Sequence, residues 1–523
     1  MNLSRNQILI IVVAVMASLL EIIDSSIVNV ALPSMMGNLG ATLEDISMVV
    51  TGYAIANAVV LPVSAWLGDR IGRRTYFLGC IIAFTITSVA CGFAPNLTTL
   101  IIFHIFQGLM GGALLPTSQT LIYEQFPKEK AGMAGAIFGM SVMIGPTLGP
   151  VMGGYLTDQF GWRMIFNINL PLGILAFFIG MACIQNANLT PDQIEARKKR
   201  RFDALGLVLL VLGIGCLQFV LERGDADDWF ASNLIKFCSV IAAVSIPSFV
   251  MWELKVKNPI INVRLFKQSV VVNGVLLMGA IGFFLYGAVF ILPIFVTTSF
   301  HYDATQTGML FIPGSILTAA MMPFVGAQMQ KGTNPKTLIA VGLISIEVCC
   351  LLMTNFSPLS NRDEIMRSLY VRGFGLAFLF VPINSSILSQ FNGLEMGEVS
   401  GLLNLFRQIG GSIGIALIST LLSTKSAQNY IDLASKVSLL NPNTQAAYYG
   451  SIAGMHSKMV DSTGMMTSSS AAMKGIARRM QMQVFMMSFN QLIWTIMCIF
   501  VLSFIPLYFL KFKKRPVVVM DSH

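Results

Sequence analysis

Two carboxylates and an imidazole stand inside stretches of otherwise apolar sequence, and the chemistry such a set allows is proton transfer. Asp24 lies deep in the first apolar run, with Glu21 three residues earlier on the same helical face. A charged carboxylate at bilayer depth costs roughly 2.5–3.5 kcal/mol. Asp24 is therefore expected to face a water-accessible cavity, where it can gain and lose a proton and also attract a cation. A helix-packing hydrogen bond is the competing account, and Glu21 could lie nearer the end of its span. If both carboxylates face one pocket they titrate as a coupled pair. His104 and Gln107, in the stretch HIFQG (104–108), are i,i+3 partners on one face. A neutral imidazole enters a membrane cheaply and can carry a proton near neutral pH, although a hydrogen-bonded core histidine would look the same. Arg407 and Arg372 fall in or beside apolar runs and need an acidic answer. Asn57, Asn404 and Gln408 could line the same polar path, whereas Glu347 suits a cavity-facing or a structural role equally.

Two further motifs point to conformational change rather than proton transfer. In GDRIGRR (68–74), Gly68 and Gly72 permit a sharp turn, while Asp69 can pair with a base or cap a helix end. Arg70, Arg73 and Arg74 can reach other helix ends, which suits a latch made in one state and broken in another. Topogenic charge explains the arginines equally well, but not the two glycines and the aspartate with them. In GPTLGPVMGG (145–154), Gly145, Gly149 and Gly153 recur at one helical turn, so a neighbouring backbone can approach closely. Gly154 follows, and Pro146 and Pro150 bend the helix. A hinge, or a seal against a helix of the other half, is the functional reading; static packing is the alternative.

The elements that must hold these residues follow from composition. Of 523 residues, 55% are hydrophobic and only 11% charged. A soluble globule of this size carries about 25% charged residues, so there is too little charge here to coat one. A membrane helix needs about 20 mostly apolar residues. Fourteen such runs occur, at 8–32, 46–67, 76–94, 97–122, 131–156, 164–183, 205–221, 234–252, 270–296, 307–325, 337–353, 369–388, 401–422 and 489–510. Backbone polar groups in hydrocarbon must be satisfied within each segment, so the runs are predicted to be helical. The first run is long enough to serve as its own insertion signal, and no cleavable leader is evident. Lys and Arg cluster at the ends and after the even-numbered runs, including RKKRR at 197–201, which predicts cytoplasmic termini. The net charge of +9 is thereby topological and no sign of nucleic acid. The segment 425–486 is predicted to be a partly helical hairpin on the outer side.

A faint repeat divides the chain. Gly108 and Gly373 are 265 residues apart, as are Gly145 and Gly410, and PVSAWLGDRIGRR (62–74) has a weaker echo at 323–335. The predicted organisation is an N-terminal six-helix half (1–186), a linker with two inserted spans (187–258), a C-terminal six-helix half (259–515) and a tail (516–523). Parallel duplicated halves around a central cavity are a transporter architecture. The eight cysteines lack metal-site spacing, His301, His456 and His523 form no ligand set, and no cofactor is called for. No GxxxxGK[ST] loop is present to make ATP the direct drive, and no nucleophile–base set marks an enzyme. A receptor or scaffold without transport remains the reading from another class, separable by the absence of flux.

These motifs together resemble the major facilitator superfamily, in its fourteen-span drug:proton antiporter branch, and are most similar to the Emr-type multidrug efflux permeases. IIDSSIVNVALP (22–33) matches the stretch that carries the family's proton-site aspartate, which the resemblance places on Asp24. WLGDRIGRR (66–74) matches the conformational latch, implicating Asp69, Arg70 and Arg73, and GPTLGPVMGG (145–154) matches the antiporter motif. GWRMIFNINLPLG (161–173) and residues 201–230 continue the likeness. One departure stands out: the fourth-span motif RxxQG has His104 in place of its arginine. A permanent charge is thereby exchanged for a titratable group, and Arg407 is another candidate cation. The resemblance implies an all-α membrane protein that exports lipophilic, often cationic or uncoupler-like toxic compounds in exchange for protons, across a bacterial inner membrane. It also implies a periplasmic membrane-fusion adaptor and an outer-membrane channel as partners, with 425–486 as the contact. The alternative is an exporter dedicated to one metabolite, siderophore or fatty acid.

Overall fold

The computed structural model describes residues 3–185, 203–302, 304–437, 441–442, 444–446, 448–450 and 464–511. RKKRR (197–201), the tail at 516–523, His456 and His523 lie outside the described residues. Fourteen helices are long and apolar enough to cross a membrane. They are α1 (Arg5–Leu39), α2 (Glu44–Ile71), α3 (Arg73–Gly92), α4 (Leu97–Glu124), α5 (Lys128–Phe160), α6 (Met164–Cys183) and α7 (Ala204–Arg223). The series continues with α8 (Asn233–Lys255), α9 (Ser269–Phe300), α10 (Thr305–Gln330), α11 (Pro335–Thr354), α12 (Arg362–Leu388), α13 (Gly393–Ala434) and α14 (Ala472–Phe509). Local chemistry sets their ends. Ser4 and Gln7 form a reciprocal cap on α1, and Gly40 closes that helix at φ 62°. Gly72, at φ 98°, turns the chain between α2 and α3, a conformation that disfavours any side chain.

The two shortest-looking runs, 205–221 and 337–353, fall in 20-residue helices, Ala204–Arg223 and Pro335–Thr354. The predicted thirteenth and fourteenth runs fall short of their helices: α13 extends from Gly393 to Ala434, and the last helix begins at Gly464. Hydropathy marks where a helix meets lipid, not where it stops. Here the polar continuations support each other, with Asn429 donating to Ser488 at 2.9 Å. The described parts of 425–486 are thus largely extensions of two spans, and 451–463 lie outside the described residues.

The same contacts recur in both halves. In the N-terminal half, Gly145, Gly149 and Gly153 of α5 close onto Ile22, Ser26 and Ile27 of α1. In the C-terminal half, Gly410 and Gly414 of α13 close onto Gly279 and Phe283 of α9. Likewise Gly108 of α4 abuts Tyr53 of α2, as Gly373 of α12 abuts Gly314 of α10. The α5 glycines therefore seal against their own half, which corrects the expectation of a seal against the other. The reason is the helical face: α5 turns a different stripe across the interface, with Gly132 against Gly326 and Thr147 bonded to Ser315 at 2.5 Å, both on α10. The second interface is α2 with α13, where Gly397 and Gly401 meet Ala65 and Leu61.

The inserted helices α7 and α8 pair with each other, and α7 also touches α2 and α13. The end of α7 fastens to both halves. Arg223 donates to the Glu44 carbonyl at 3.0 Å and to Ser47 at 2.7 Å on α2. On α13, Ser412 accepts from Gln218 at 2.5 Å and donates to Glu222 at 2.8 Å, and Trp229 donates to Thr420 at 2.9 Å.

A β-carbon at Gly410 would collide with the Gly279 backbone, whereas one at Gly79 would meet nothing within 4 Å. Overpacking of this kind costs about 1–3 kcal/mol. Gly410→Val is expected to lower the thermal aggregation midpoint of the solubilised protein by several degrees, and Gly79→Val to leave it unchanged.

Candidate functional site

The centre of the N-terminal half is a polar cluster built around Asp24, which is 0% exposed. Its carboxylate reaches no solvent, so its neighbours must supply every interaction it has. Oδ1 accepts from Gln107 on α4 at 2.7 Å and from Asn169 on α6 at 2.8 Å. Oδ2 stands 3.5 Å from Nε2 of His104. The other imidazole nitrogen, Nδ1, lies 2.8 Å from the Val49 carbonyl. A carbonyl only accepts, so Nδ1 carries the hydrogen, and in the neutral ring Nε2 presents its lone pair to Asp24. The ring is held by Tyr53, stacked at 4.7 Å, and by the edge of Phe166 at 5.6 Å.

Such a site accommodates either charge state. Two amide N–H groups on Oδ1 support the carboxylate. When Oδ2 is protonated it has an acceptor in Nε2, once the 3.5 Å gap closes to hydrogen-bond distance. Alternatively the imidazole takes the proton and the pair becomes ionic. Asn169 is fixed in turn, since its amide also donates to Ser88 at 2.9 Å, and Ser88 donates to the Phe166 carbonyl at 2.8 Å.

Glu21 heads a neighbouring cluster instead of sharing Asp24's partners. Asn57 donates to its Oε1 at 3.0 Å, and Oε2 is buried without a partner. Arg407 on α13 is close enough for the two charges to interact, and it donates to the Tyr286 hydroxyl at 3.0 Å. The expected compensating cation from α13 thus stands toward Glu21, across the interface between halves, while His104 alone faces Asp24.

Asn404 and Gln408, read as lining a polar path, instead tie the halves together. Gln119 of α4 accepts from Asn404 at 2.8 Å and from Ser400 at 2.5 Å, and donates to Asn384 of α12 at 2.7 Å. Tyr123 and Ser385 share a hydrogen bond at 3.2 Å. Gln408 donates to the Ala54 carbonyl of α2 at 2.9 Å. This lock lies toward the ends of α4 and α12 and the start of α13, the end of the bundle where the basic loops gather. The turn at 68–74 sits at the same end. Arg73 pairs with Glu124 at 2.5 Å, Arg74 donates to the Met181 carbonyl at 2.7 Å, and the Arg70 guanidinium lies 5.4 Å from the centre of the Trp66 ring. The bonds of Arg73 and Arg74 stay within the N-terminal half. Gly68 and Asp69 complete the last turn of α2.

Sequence reasoning missed Asn169, Ser88 and Gln119. The first lies within the quoted stretch 161–173, but an asparagine beside a proline-bearing loop reads as a turn residue. Gln119 follows a run of small residues and carries no charge to draw notice.

A family model described as Major Facilitator Superfamily matches residues 14–415. The chain is 32% identical over 490 residues to the multidrug export protein EmrB of Escherichia coli (strain K12), covering 93% of this chain and 92% of that protein. It is 32% identical over 423 residues to the fatty acid resistance protein FarB of Neisseria gonorrhoeae, covering 81% and 82%. The crystal structure of the human organic anion transporter MFSD10 aligns with a TM-score of 0.58 at 14% identity, over 80% of this chain and 94% of that one, and shares the fold.

If His104 serves as the counter-group of Asp24, His104→Arg is expected to retain appreciable pH-driven transport, and His104→Ala to lower it about tenfold or more. Initial rates across an imposed pH gradient measure both. Equal rates for the two variants would remove His104 from proton coupling.

Proposed function

The chain belongs to the major facilitator superfamily, and from that premise we propose that it is a proton-coupled antiporter exporting lipophilic toxic compounds. The observation that carries this reading is Asp24: an acid buried in mid-helix, with two amide donors on one oxygen and an imidazole beside the other. Neither the cost of a buried charge nor that of an unpaired polar group argues for such a residue as mere packing. A group that alternates between two satisfied protonation states fits proton exchange. The similarity to EmrB supports a multidrug substrate range. FarB, a fatty acid resistance protein, supports a narrower alternative in which lipophilic acids are the cargo.

The proposed cycle is alternating access. Asp24 releases its proton to the cytoplasm and a lipophilic substrate enters between the halves; the bundle then opens outward, and reprotonation there discharges the substrate. The lock of Gln119, Asn384, Ser400 and Asn404 is the contact that holds the cytoplasmic end shut and must open for loading. The turn residues Gly68, Asp69, Arg70, Gly72 and Arg73 are proposed to steady that end as it moves. Gly145, Pro146, Gly149, Pro150, Gly153 and Gly154 are proposed to let α5 slide along α1. Both termini are proposed to be cytoplasmic and the protein to lie in a bacterial inner membrane, with halves proposed at 1–186 and 259–515 about the insertion. The extensions of α13 and α14 are the proposed contact for a periplasmic adaptor leading to an outer-membrane channel.

The test is drug uptake into inverted vesicles, with and without an acidic interior. An imposed gradient is expected to drive uptake severalfold above the rate without it. Asp24→Asn is expected to abolish the driven part while the protein still inserts. Unchanged driven uptake in that variant would end the assignment of Asp24.

A further inference from the structure

Arg372 of α12 is a buried cation that the proton site does not use. It is 5% exposed, and its Nε and Nη1 have no hydrogen-bond partner. A guanidinium carries five donors and cannot shed its charge, so burial without an anion is among the most costly states for a side chain. Its Cζ lies 5.2 Å from the centre of the Phe311 ring on α10, a contact that satisfies none of its N–H groups. Glu347, on the neighbouring α11, leaves both its own oxygens unpartnered and so does not answer the charge.

The internal repeat shows what belongs opposite Arg372. Residue 372 lies 265 positions after Gln107, the α4 side chain that donates to Asp24. Gly145 and Gly149 close on Ile22 and Ser26 of α1, just as Gly410 and Gly414 close on Gly279 and Phe283 of α9. That register sets Ile281 in the place of Asp24, and α9 contains no acidic residue. Where the N-terminal half pairs an amide donor with a carboxylate of the chain, the C-terminal half has a stronger donor and an apolar partner.

We propose that Arg372, flanked by Phe311, is a recognition site for the carboxylate head of a lipophilic acid, which takes the part that Asp24 plays in the other half. A guanidinium meets a carboxylate through two parallel hydrogen bonds. The Phe311 ring beside it offers an apolar contact for an alkyl or aryl tail. The proposal rests on the export reading for bringing a lipophilic ligand between the halves. It widens that reading: Asp24 and Glu21 give the N-terminal half a preference for cations, and Arg372 gives the C-terminal half one for anions.

The test is equilibrium binding to the full-length protein in nanodiscs, using a fluorescent twelve-carbon fatty acid, its methyl ester and tetraphenylphosphonium. A charge-assisted contact of this kind contributes about tenfold or more in affinity. The wild type is expected to bind the acid about tenfold more tightly than the ester. Arg372→Gln is expected to erase that preference, leave tetraphenylphosphonium binding unchanged and raise the thermal midpoint, because it removes an unpaired buried charge. Arg372→Lys is expected to keep part of the preference. An acid-to-ester ratio unchanged in Arg372→Gln overturns the proposal, as does a variant that loses all three ligands and thermal stability together, the mark of a structural arginine. Binding needs no proton gradient, so the acid preference can fail while gradient-driven export by Asp24 stands, and the reverse.

Discussion

Hydrocarbon offers no partner to a polar group, and that constraint organises this molecule. It makes the fourteen spans helical, and it makes each buried charge costly unless something answers it. Asp24 is answered completely on one oxygen, by Gln107 and Asn169, and conditionally on the other, where His104 waits at 3.5 Å. Completeness on one side holds the carboxyl group in place. Incompleteness on the other leaves a gap to His104 that a proton could fill.

The same constraint explains the use of glycine. Helices in lipid gain little from burying apolar surface against each other, so close approach of backbones has to supply cohesion. The pairs α5–α1 and α13–α9 use glycines at matching positions, and so do α4–α2 and α12–α10. Each half is therefore tightly joined within itself. Between the halves, polar side chains carry part of the contact at the basic end, through Gln119, Asn384, Ser400 and Asn404. Hydrogen bonds among neutral groups can be exchanged for water at small net cost. At the same end the halves also approach backbone to backbone, with Gly132 against Gly326 and Gly401 against Leu61.

How much of this could be read from the sequence follows from the range of each signal. The spans, the repeat and the aspartate in mid-helix were legible because hydropathy and an isolated charge are local properties. Gln107 was legible because it shares a helical face with His104. Asn169 was not, since its partnership with Asp24 bridges 145 residues and no pattern in either segment announces it. Gly145, Gly149 and Gly153 were recognised as a close-contact face, but a stripe of glycine does not say which helix it meets. Arg407 was recognised as a charge in need of an answer, and only the fold shows it turned toward Glu21. The ends of α13 and α14 were legible only as a partly helical segment, because hydropathy does not distinguish polar helix from loop and so sets no boundary.

The fastening of α7 makes the two sides of the bundle unequal. Along one seam, between α2 and α13, Arg223, Gln218 and Glu222 bolt an extra helix pair over the join, so the lipid on that flank faces α7 and α8. The other seam, between α5 and α10, has no such cover among the described residues. A greasy molecule diffusing within the leaflet thus meets a shuttered flank and an uncovered one. Any passage between the halves from the surrounding bilayer would therefore have to lie on the α5–α10 flank.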